Sequence, residues 1–144
     1  MNSIYKKKLF IVEDDLMYLK LVEIEFLQYP DFILETFATG ELCLESMSHN
    51  PDLIILDYHL DSVDICAMNG LCTLDKIKAI NPDIPVVMLS SQDRIEVAIN
   101  CMHHNAYDYI VKSETAFIRL QKVIATIFHT QKLEKTLEWY IVNT

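Results

Sequence analysis

The amino-acid sequence predicts an α/β fold in which five parallel strands form one sheet with helices on both faces. Five short apolar runs alternate with five segments whose apolar residues follow helical spacing. The run at 53–56, Leu-Ile-Ile-Leu, is apolar throughout, as expected for a parallel strand that is buried on both faces. A chain of 144 residues, 51% of them hydrophobic, has the size and composition of a single domain.

Turn and capping residues separate the elements in the first half of the chain. Asp14 or Asp15 caps the first helix, which ends near Tyr29 because Pro30 breaks it. Gly40 lies in the turn that leads into the second helix. These signals predict a strand at 8–12, a helix to about 29, a strand at 32–37, a helix at 41–48 and a strand at 53–56.

The second half begins with a long loop after Asp57, which ends at 69–70, where Asn-Gly leads into the third helix. An apolar stripe marks the fourth helix, Asn105 after it suits the left-handed conformation, and Ser113 caps the last helix. The predicted elements are a helix from 71 that Asn81-Pro82 ends, a strand at 85–89, a helix with the stripe Ile95, Ala98, Ile99 and Met102, a strand at 106–111, and a helix whose apolar side includes Phe117, Leu120, Ile124 and Ile127.

The C-terminal stretch is predicted as a helical extension, 131–144, of the domain formed by 1–130. The last helix either continues through it or breaks near Thr130 and restarts. The extension contains Leu133, Leu137, Trp139 and Tyr140. It either covers the core or forms the seam of a homodimer, and we prefer the first interpretation.

Composition narrows the classes of function. The net charge of −9 argues against direct binding of nucleic acid, because phosphate contacts need clustered Lys and Arg. The apolar runs are too short for a membrane span, and Glu13 directly follows the first of them, unlike a signal peptide. Four cysteines without a Cys-x-x-Cys pair are most simply reduced thiols. We therefore expect a cytoplasmic protein without membrane insertion.

Polar side chains follow four of the five predicted strands. Asp14 and Asp15 follow the first strand, Asp57 the third, Ser90 the fourth and Lys112 the fifth. The carboxyl ends of parallel strands meet at one edge of the sheet, where open α/β sheets bind ligands. Three carboxylates there repel one another unless a hard cation such as Mg²⁺ lies among them. With a hydroxyl and an ammonium group opposite, such a site suits a phosphoryl group.

These motifs, in this order and spacing, make the chain resemble the receiver domain of two-component response regulators. The resemblance implies a flavodoxin-like doubly wound sheet with strand order 2-1-3-4-5 and five helices. It covers nearly the whole chain through Leu-Phe-Ile-Val-Glu-Asp-Asp at 9–15, Asp57, Asn69-Gly70, Pro-Val-Val-Met-Leu-Ser at 85–90 and Ala-Tyr-Asp-Tyr-Ile-Val-Lys at 106–112.

The resemblance implies the chemistry at the centre of the site. Asp57 would be the phospho-acceptor, whose carboxylate attacks the phosphoryl group of a phosphohistidine. Its donor would be a sensor histidine kinase or a histidine phosphotransfer protein. Asp14 and Asp15 would hold Mg²⁺, with Asp15 as the direct ligand and Asp14 acting through water. The backbone carbonyl of His59 would be a further ligand.

The resemblance also implies how the site signals. Ser90 and Lys112 would bind phosphoryl oxygens, and Tyr109 would turn inward when Ser90 moves. The altered surface, made by the fourth helix, fifth strand and fifth helix, would bind a downstream protein or a second copy. The protein would be a stand-alone signalling phospho-acceptor and not an enzyme, apart from slow self-dephosphorylation.

Two departures from the family pattern and two rival functions stay open. Ser113 replaces the Pro that usually follows the conserved lysine, and the loop after Asp57 is longer than usual, either as a shield or docking loop or as a harmless insertion. One rival is an interaction module of the same fold that is never phosphorylated. The other is a Mg²⁺-dependent phosphatase, although His59 stands where such enzymes have a second Asp.

Overall fold

A computed structural model of the chain describes residues 6–61 and 66–143. Its five strands form a single parallel sheet in the order β2-β1-β3-β4-β5, which confirms the predicted topology. The strands are β1 (Lys7–Val12), β2 (Phe32–Phe37), β3 (Leu53–Asp57), β4 (Val86–Ser90) and β5 (Asp108–Val111). The helices are α1 (Leu16–Phe26), α2 (Gly40–Glu45), α3 (Gly70–Ile80), α4 (Ile95–His103) and α5 (Ala116–Val142), and Met47–His49 forms a short 3-10 helix.

The sheet separates two hydrophobic layers. On one face, α1 and α5 pack against the sheet through residues such as Val22 and Leu120. On the other face, α2, α3 and α4 contribute residues such as Leu74 and Cys101. Every residue of β3 and β4 is buried, because these strands lie inside the sheet and are covered on both sides. The alternation of strands and helices along the sequence thus produces the predicted three-layer arrangement.

Two asparagines adopt the left-handed backbone conformation that glycine often adopts in proteins. Asn50, after the 3-10 helix, has φ of 56°, and Asn105, after α4, has φ of 71°. Asparagine tolerates the left-handed region better than other side chains, and the chain has only two glycines. The prediction of a left-handed Asn105 is confirmed.

Three details of the helices differ from the sequence prediction. Helix α1 ends at Phe26, and residues 27–29 form a turn before Pro30. Helix α5 begins at Ala116, so Ser113 is not its cap; its carbonyl accepts a hydrogen bond from Ala116 N at 3.1 Å in the preceding turn. Among the described residues there is no cis peptide bond.

The apolar stripe of α4 is the third difference. Ile95, Ile99 and Met102 are exposed, whereas Cys101 is the residue of α4 that is buried in the core. The stripe was predicted from helical spacing alone, and spacing cannot tell which of two apolar faces meets the sheet.

Helix α5 runs for 27 residues without a break at Thr130. Its first half packs on the sheet; Ile127 is its last buried residue, and the partly buried Phe128 packs against the core beside it. Beyond it, Leu133, Leu137 and Trp139 are each more than half exposed. The preferred prediction that this stretch covers the core is therefore wrong. Within residues 6–61 and 66–143, no helix combines the length and apolar composition that crossing a membrane requires.

Candidate functional site

The candidate site lies at the carboxyl edge of the sheet, where three neighbouring strands end in polar residues. Asp57 is the last residue of β3, and Ser90 is the last residue of β4. Lys112 follows β5 directly, and its backbone N–H donates to the carbonyl of Ser90 at 2.7 Å. The backbone ladder thus places these side chains on adjacent strands.

Three carboxylates converge beside these residues. Glu13 and Asp14 are the first two residues after β1, and each offers an oxygen that lies within 4.8 Å of one on Asp57. All three side chains are buried, with 2%, 8% and 3% of their surface exposed. Buried like charges at this separation repel strongly, so the group needs compensating positive charge.

The structure brings Glu13, and not Asp15 of the predicted acidic pair, together with Asp14 and Asp57. Asp15 is exposed and is the N-cap of α1, where its Oδ1 accepts from Met17 N at 3.0 Å and Tyr18 N at 3.3 Å. Glu13 lies deeper because it directly follows the last buried residue of β1. Counting outward from the end of that strand, rather than choosing the two aspartates, would have identified Glu13.

Lys112 supplies positive charge to the cluster. Its ammonium lies 2.6 Å from Glu13 Oε1 and 3.6 Å from Asp57 Oδ1. It also lies over the ring of Tyr18, 4.4 Å from the ring centroid. The predicted proximity of Lys112 to the acceptor is therefore present in the structure, whereas the sequence analysis missed Tyr18, which follows helical spacing without a motif of its own.

One cation does not balance three buried carboxylates. The pKa of Asp57 is raised from 3.8 to about 8, first by burial and then by a hydrogen bond and the negative charge from Glu13, while the ammonium of Lys112 and the N–H of His59 oppose this shift. The N–H of His59 donates to Asp57 Oδ1 at 3.2 Å. The raised pKa favours the protonated form of the acceptor, and additional positive charge in the site would lower it.

The residues present fit a small divalent cation. Glu13 Oε1 is buried and makes no hydrogen bond of good geometry, since its short contact with Lys112 is an ion pair. The donor set consists of carboxylate oxygens, which Mg²⁺ prefers. A cation there would also relieve the repulsion that raises the pKa of Asp57.

Ser90 and Tyr109 lie on the opposite side of the acceptor strand from β1. Ser90 is fully buried, and its hydroxyl accepts from Gln92 N at 3.1 Å. The half-buried Tyr109 donates its hydroxyl to the carbonyl of Gln92 at 2.7 Å. Burial raises the pKa of the Tyr109 phenol, and a hydrogen bond with Ser90 partly offsets this. Both side chains therefore hold the loop that follows β4.

Gly70 packs closely against the backbone of the acceptor strand at Asp57 and Tyr58. Gly70 begins α3, with Asn69 as its N-cap, and its N–H donates to the carbonyl of Tyr58 at 3.0 Å. A methyl group on Gly70 would collide with the Asp57 carbonyl and lie 2.6 Å from the Tyr58 carbonyl. Only glycine allows the helix and the acceptor strand to approach this closely.

The loop after Asp57 is described only in part, since residues 62–65 lie outside the described ranges. Leu60 is buried in the core, and the N–H of Met68 donates to the carboxylate of Glu41 at 3.2 Å. Both described ends of the loop are thus attached to the domain. The assignment of the His59 carbonyl as a ligand stays a prediction.

Comparison with known proteins agrees with this fold. The model of the response regulator receiver domain family matches residues 9–125. Over 76 residues the chain is 33% identical to the regulatory protein LuxO of Vibrio vulnificus, covering 52% of this chain and 16% of LuxO. Over 129 residues it is 26% identical to the transcriptional regulatory protein ZraR of Escherichia coli, covering 88% of this chain and 27% of ZraR.

A solved structure shows the same likeness in three dimensions. The receiver domain of NtrX from Brucella abortus superposes with a TM-score of 0.74 at 28% identity, covering 85% of this chain and 98% of that domain. The chain spans between a sixth and a third of the length of the curated relatives that it matches. The match over residues 9–125 includes the acidic cluster, Asp57, Ser90 and Lys112, and the chain therefore belongs to the response regulator receiver domain family.

Proposed function

We propose that the chain is a cytoplasmic phospho-acceptor, in which Asp57 takes a phosphoryl group from the phosphohistidine of a sensor histidine kinase or phosphotransfer protein. The observation that carries the proposal is the buried convergence of Glu13, Asp14, Asp57 and Lys112 at one sheet edge.

The reaction is a displacement at phosphorus. A carboxylate oxygen of Asp57 forms the new P–O bond, the P–N bond to the donor imidazole breaks, and an acyl phosphate and a free histidine result. Lys112, already 3.6 Å from Asp57 Oδ1, neutralises charge on the transferred oxygens. Glu13, Asp14 and Asp57, with the His59 carbonyl as a further ligand, would hold Mg²⁺, which would supply additional charge neutralisation.

We further propose that Ser90 and Tyr109 carry the change to the surface formed by α4, β5 and α5. The support is the hydrogen bond from Tyr109 to the Gln92 carbonyl, which ties the switch residue to the loop before α4. A phosphoryl oxygen that draws Ser90 away from Gln92 N weakens the hold on this loop. The exposed Ile95 and Ile99 of α4 then offer an apolar contact for a downstream protein target.

The test of phosphorylation is incubation with acetyl phosphate and Mg²⁺, followed by intact mass spectrometry. The wild type is expected to gain about 80 Da, the mass of one phosphoryl group added to one side chain. Asp57→Asn is expected to gain nothing, and chelation of the metal is expected to abolish the gain. Asp93→Asn, an exposed carboxylate on the loop before α4, is the matched control and is expected to behave as wild type.

A wild type without mass gain, indistinguishable from Asp57→Asn, would instead support the phosphorylation-independent interaction module. Turnover of a generic phosphomonoester would support the phosphatase. Each of these results contradicts the proposed function in a different way, so the outcome also selects the replacement.

A second copy of the chain is our proposed occupant of the exposed stretch of α5. Leu133, Leu137 and Tyr140 recur at intervals of four and three residues, the spacing of a coiled-coil seam. Sedimentation of wild type and of a chain truncated after Thr130 tests this. We expect the truncated chain to be monomeric under conditions in which the wild type dimerises; equal sedimentation of both would contradict a seam there.

A further inference from the structure

The ammonium of Lys112 has two kinds of neighbour. Glu13 and Asp57 attract it by charge, at 2.6 and 3.6 Å. The third neighbour, the face of the Tyr18 ring at 4.4 Å from the centroid, is neutral and attracts the cation through the ring quadrupole. The lysine side chain has only 14% of its surface exposed, so water screens these contacts weakly.

The charged neighbours change during the proposed reaction, and the neutral one does not. A divalent cation takes up negative charge of Glu13 and Asp57, and the acyl phosphate replaces the carboxylate of Asp57 altogether. The first event weakens the attraction that now fixes the ammonium, and the second moves the negative charge from the carboxylate of Asp57 to the phosphoryl oxygens. The ring of Tyr18 keeps its quadrupole throughout, because its own atoms take no part in either event.

Two contacts fix the position of Tyr18 beside Lys112. It lies in the first turns of α1, where its backbone N–H is capped by Asp15. Its ring packs against the ring of Phe117 in α5, with centroids 6.0 Å apart. The ring therefore bridges the two helices on this face of the sheet, next to the strand end that carries Lys112.

The phenol also remains uncharged. Burial, together with the negative charges of Glu13 and Asp57, raises the pKa of Tyr18 to about 12. A phenolate would compete with the phosphoryl oxygens for Lys112, and this competition is absent at neutral pH. The residue after Lys112 is Ser113, which restrains the lysine backbone less than a proline would, so side-chain contacts fix more of its position.

We propose that Tyr18 is a positioning residue that holds the Lys112 ammonium at the acceptor carboxylate through the face of its ring. The consequence for phosphoryl transfer rests on the proposed function; the contact itself does not. A purely structural Tyr18 would fill space between α1 and α5, and any apolar side chain of similar size would replace it.

The experiment separates the ring face from the ring volume. Tyr18→Phe keeps the ring, Tyr18→Leu keeps apolar volume without it, and phenylalanines with one to three ring fluorines at position 18 keep the shape while the quadrupole fades. With acetyl phosphate and Mg²⁺, Tyr18→Phe is expected to react within about twofold of wild type. Tyr18→Leu is expected to react roughly five- to thirtyfold more slowly, and the fluorinated series to decline stepwise between them.

A second readout needs neither metal nor phosphodonor. NMR of the lysine ε-methylene groups in the metal-free protein is expected to show one signal, lost in Lys112→Arg, that the Tyr18 ring current shifts upfield. This shift is expected to disappear in Tyr18→Leu and to persist in Tyr18→Phe. If Tyr18→Leu fails to fold, the fluorinated series still distinguishes the ring face from the ring volume, because it preserves the packing.

Equal phosphorylation rates across the fluorinated series would overturn the proposal. An upfield shift of the Lys112 signal that persists in Tyr18→Leu would also overturn it. A Tyr18→Phe variant as slow as Tyr18→Leu would also overturn it, because the hydroxyl would then be the active group. A wild type that accepts no phosphoryl group contradicts the proposed function, while the NMR shift still decides whether Tyr18 holds Lys112.

Discussion

Replacement of the acceptor Asp57 by asparagine is expected to stabilise the metal-free protein, and increasingly so as the pH rises. Burial and Glu13 raise the pKa of Asp57 from 3.8 to about 8. Between these two values the folded chain therefore binds a proton that the unfolded chain has released. The free energy of unfolding must then fall as the pH rises through this window. Asparagine remains neutral throughout this pH range, so the variant lacks this loss.

The size of the effect follows from proton linkage. Each pH unit inside the window costs at most about 1.4 kcal/mol, so the span from pH 5 to pH 8 costs at most about 4 kcal/mol. Lys112 can move toward the ionised carboxylate, and water can reach the rim of the cluster, which lowers the cost. We expect the stability gain of Asp57→Asn over wild type to be larger at pH 8 than at pH 5 by about 1 to 4 kcal/mol.

The assay is urea unfolding followed by circular dichroism in the presence of a chelator, at pH 5 and pH 8. Comparing wild type with variant at each pH cancels the groups that titrate equally in both. Asp93→Asn, which removes an exposed carboxylate, is the matched control and is expected to show no pH-dependent gain. Saturating Mg²⁺ is expected to remove the advantage of Asp57→Asn, because the cation stabilises only a site that still binds it.

A gain that is equal at both pH values would refute the electrostatic reasoning, since it would show that Asp57 does not titrate between pH 5 and pH 8 and is already ionised at pH 5. A gain that shrinks as the pH rises would also contradict it, because a raised pKa of Asp57 requires the opposite sign.

Three further predictions concern the same edge of the sheet. Gly70→Ala is expected to cost about 1 to 3 kcal/mol in urea unfolding and to slow phosphorylation, because the methyl group displaces the backbone of Asp57; unchanged stability would contradict the close approach. Glu13→Gln is expected to weaken Mg²⁺ binding measured by calorimetry, whereas Asp15→Ala is expected to cost about 1 kcal/mol of stability with little effect on the metal; the reverse result would restore Asp15 as the ligand. Mg²⁺ affinity of the wild type is expected to rise up to about tenfold per pH unit below pH 8 and then level off, because the proton on Asp57 competes with the cation. A flat profile from pH 6 to pH 8 would exclude this competition.

Strand and turn chemistry made most of the fold predictable. Fully apolar runs identified β3 and β4, and Asn105 was recognisable because few residues other than glycine and asparagine adopt the left-handed region. Ser113 misled because a serine before a helix resembles a cap, whereas α5 begins three residues later. The α4 stripe misled because Ile95 and Ile99 are apolar yet face away from the sheet.

The site residues that directly end or follow a strand were predictable from the sequence. Those whose role depends on the direction of the side chain were less so. Asp57, Ser90 and Lys112 follow from the strand limits alone. Choosing between Glu13 and Asp15 requires knowing which side chain turns inward after β1 and which caps α1. Tyr18 reaches Lys112 only through the packing of α1 beside β5, a long-range contact that local sequence does not encode.

Helix α5 is one continuous helix that connects the surroundings of Lys112 to a distant surface. It starts four residues after Lys112, beside the Tyr18–Phe117 contact, and its 27 residues extend about 40 Å. In a helix of this length, a tilt of about 5° at the first turn displaces the far end by about 3.5 Å. A rearrangement of less than an ångström around Lys112 that tilted α5 by this amount would therefore move Leu137 and Trp139 by a distance comparable to the width of an atom, large enough to realign a neighbouring helix.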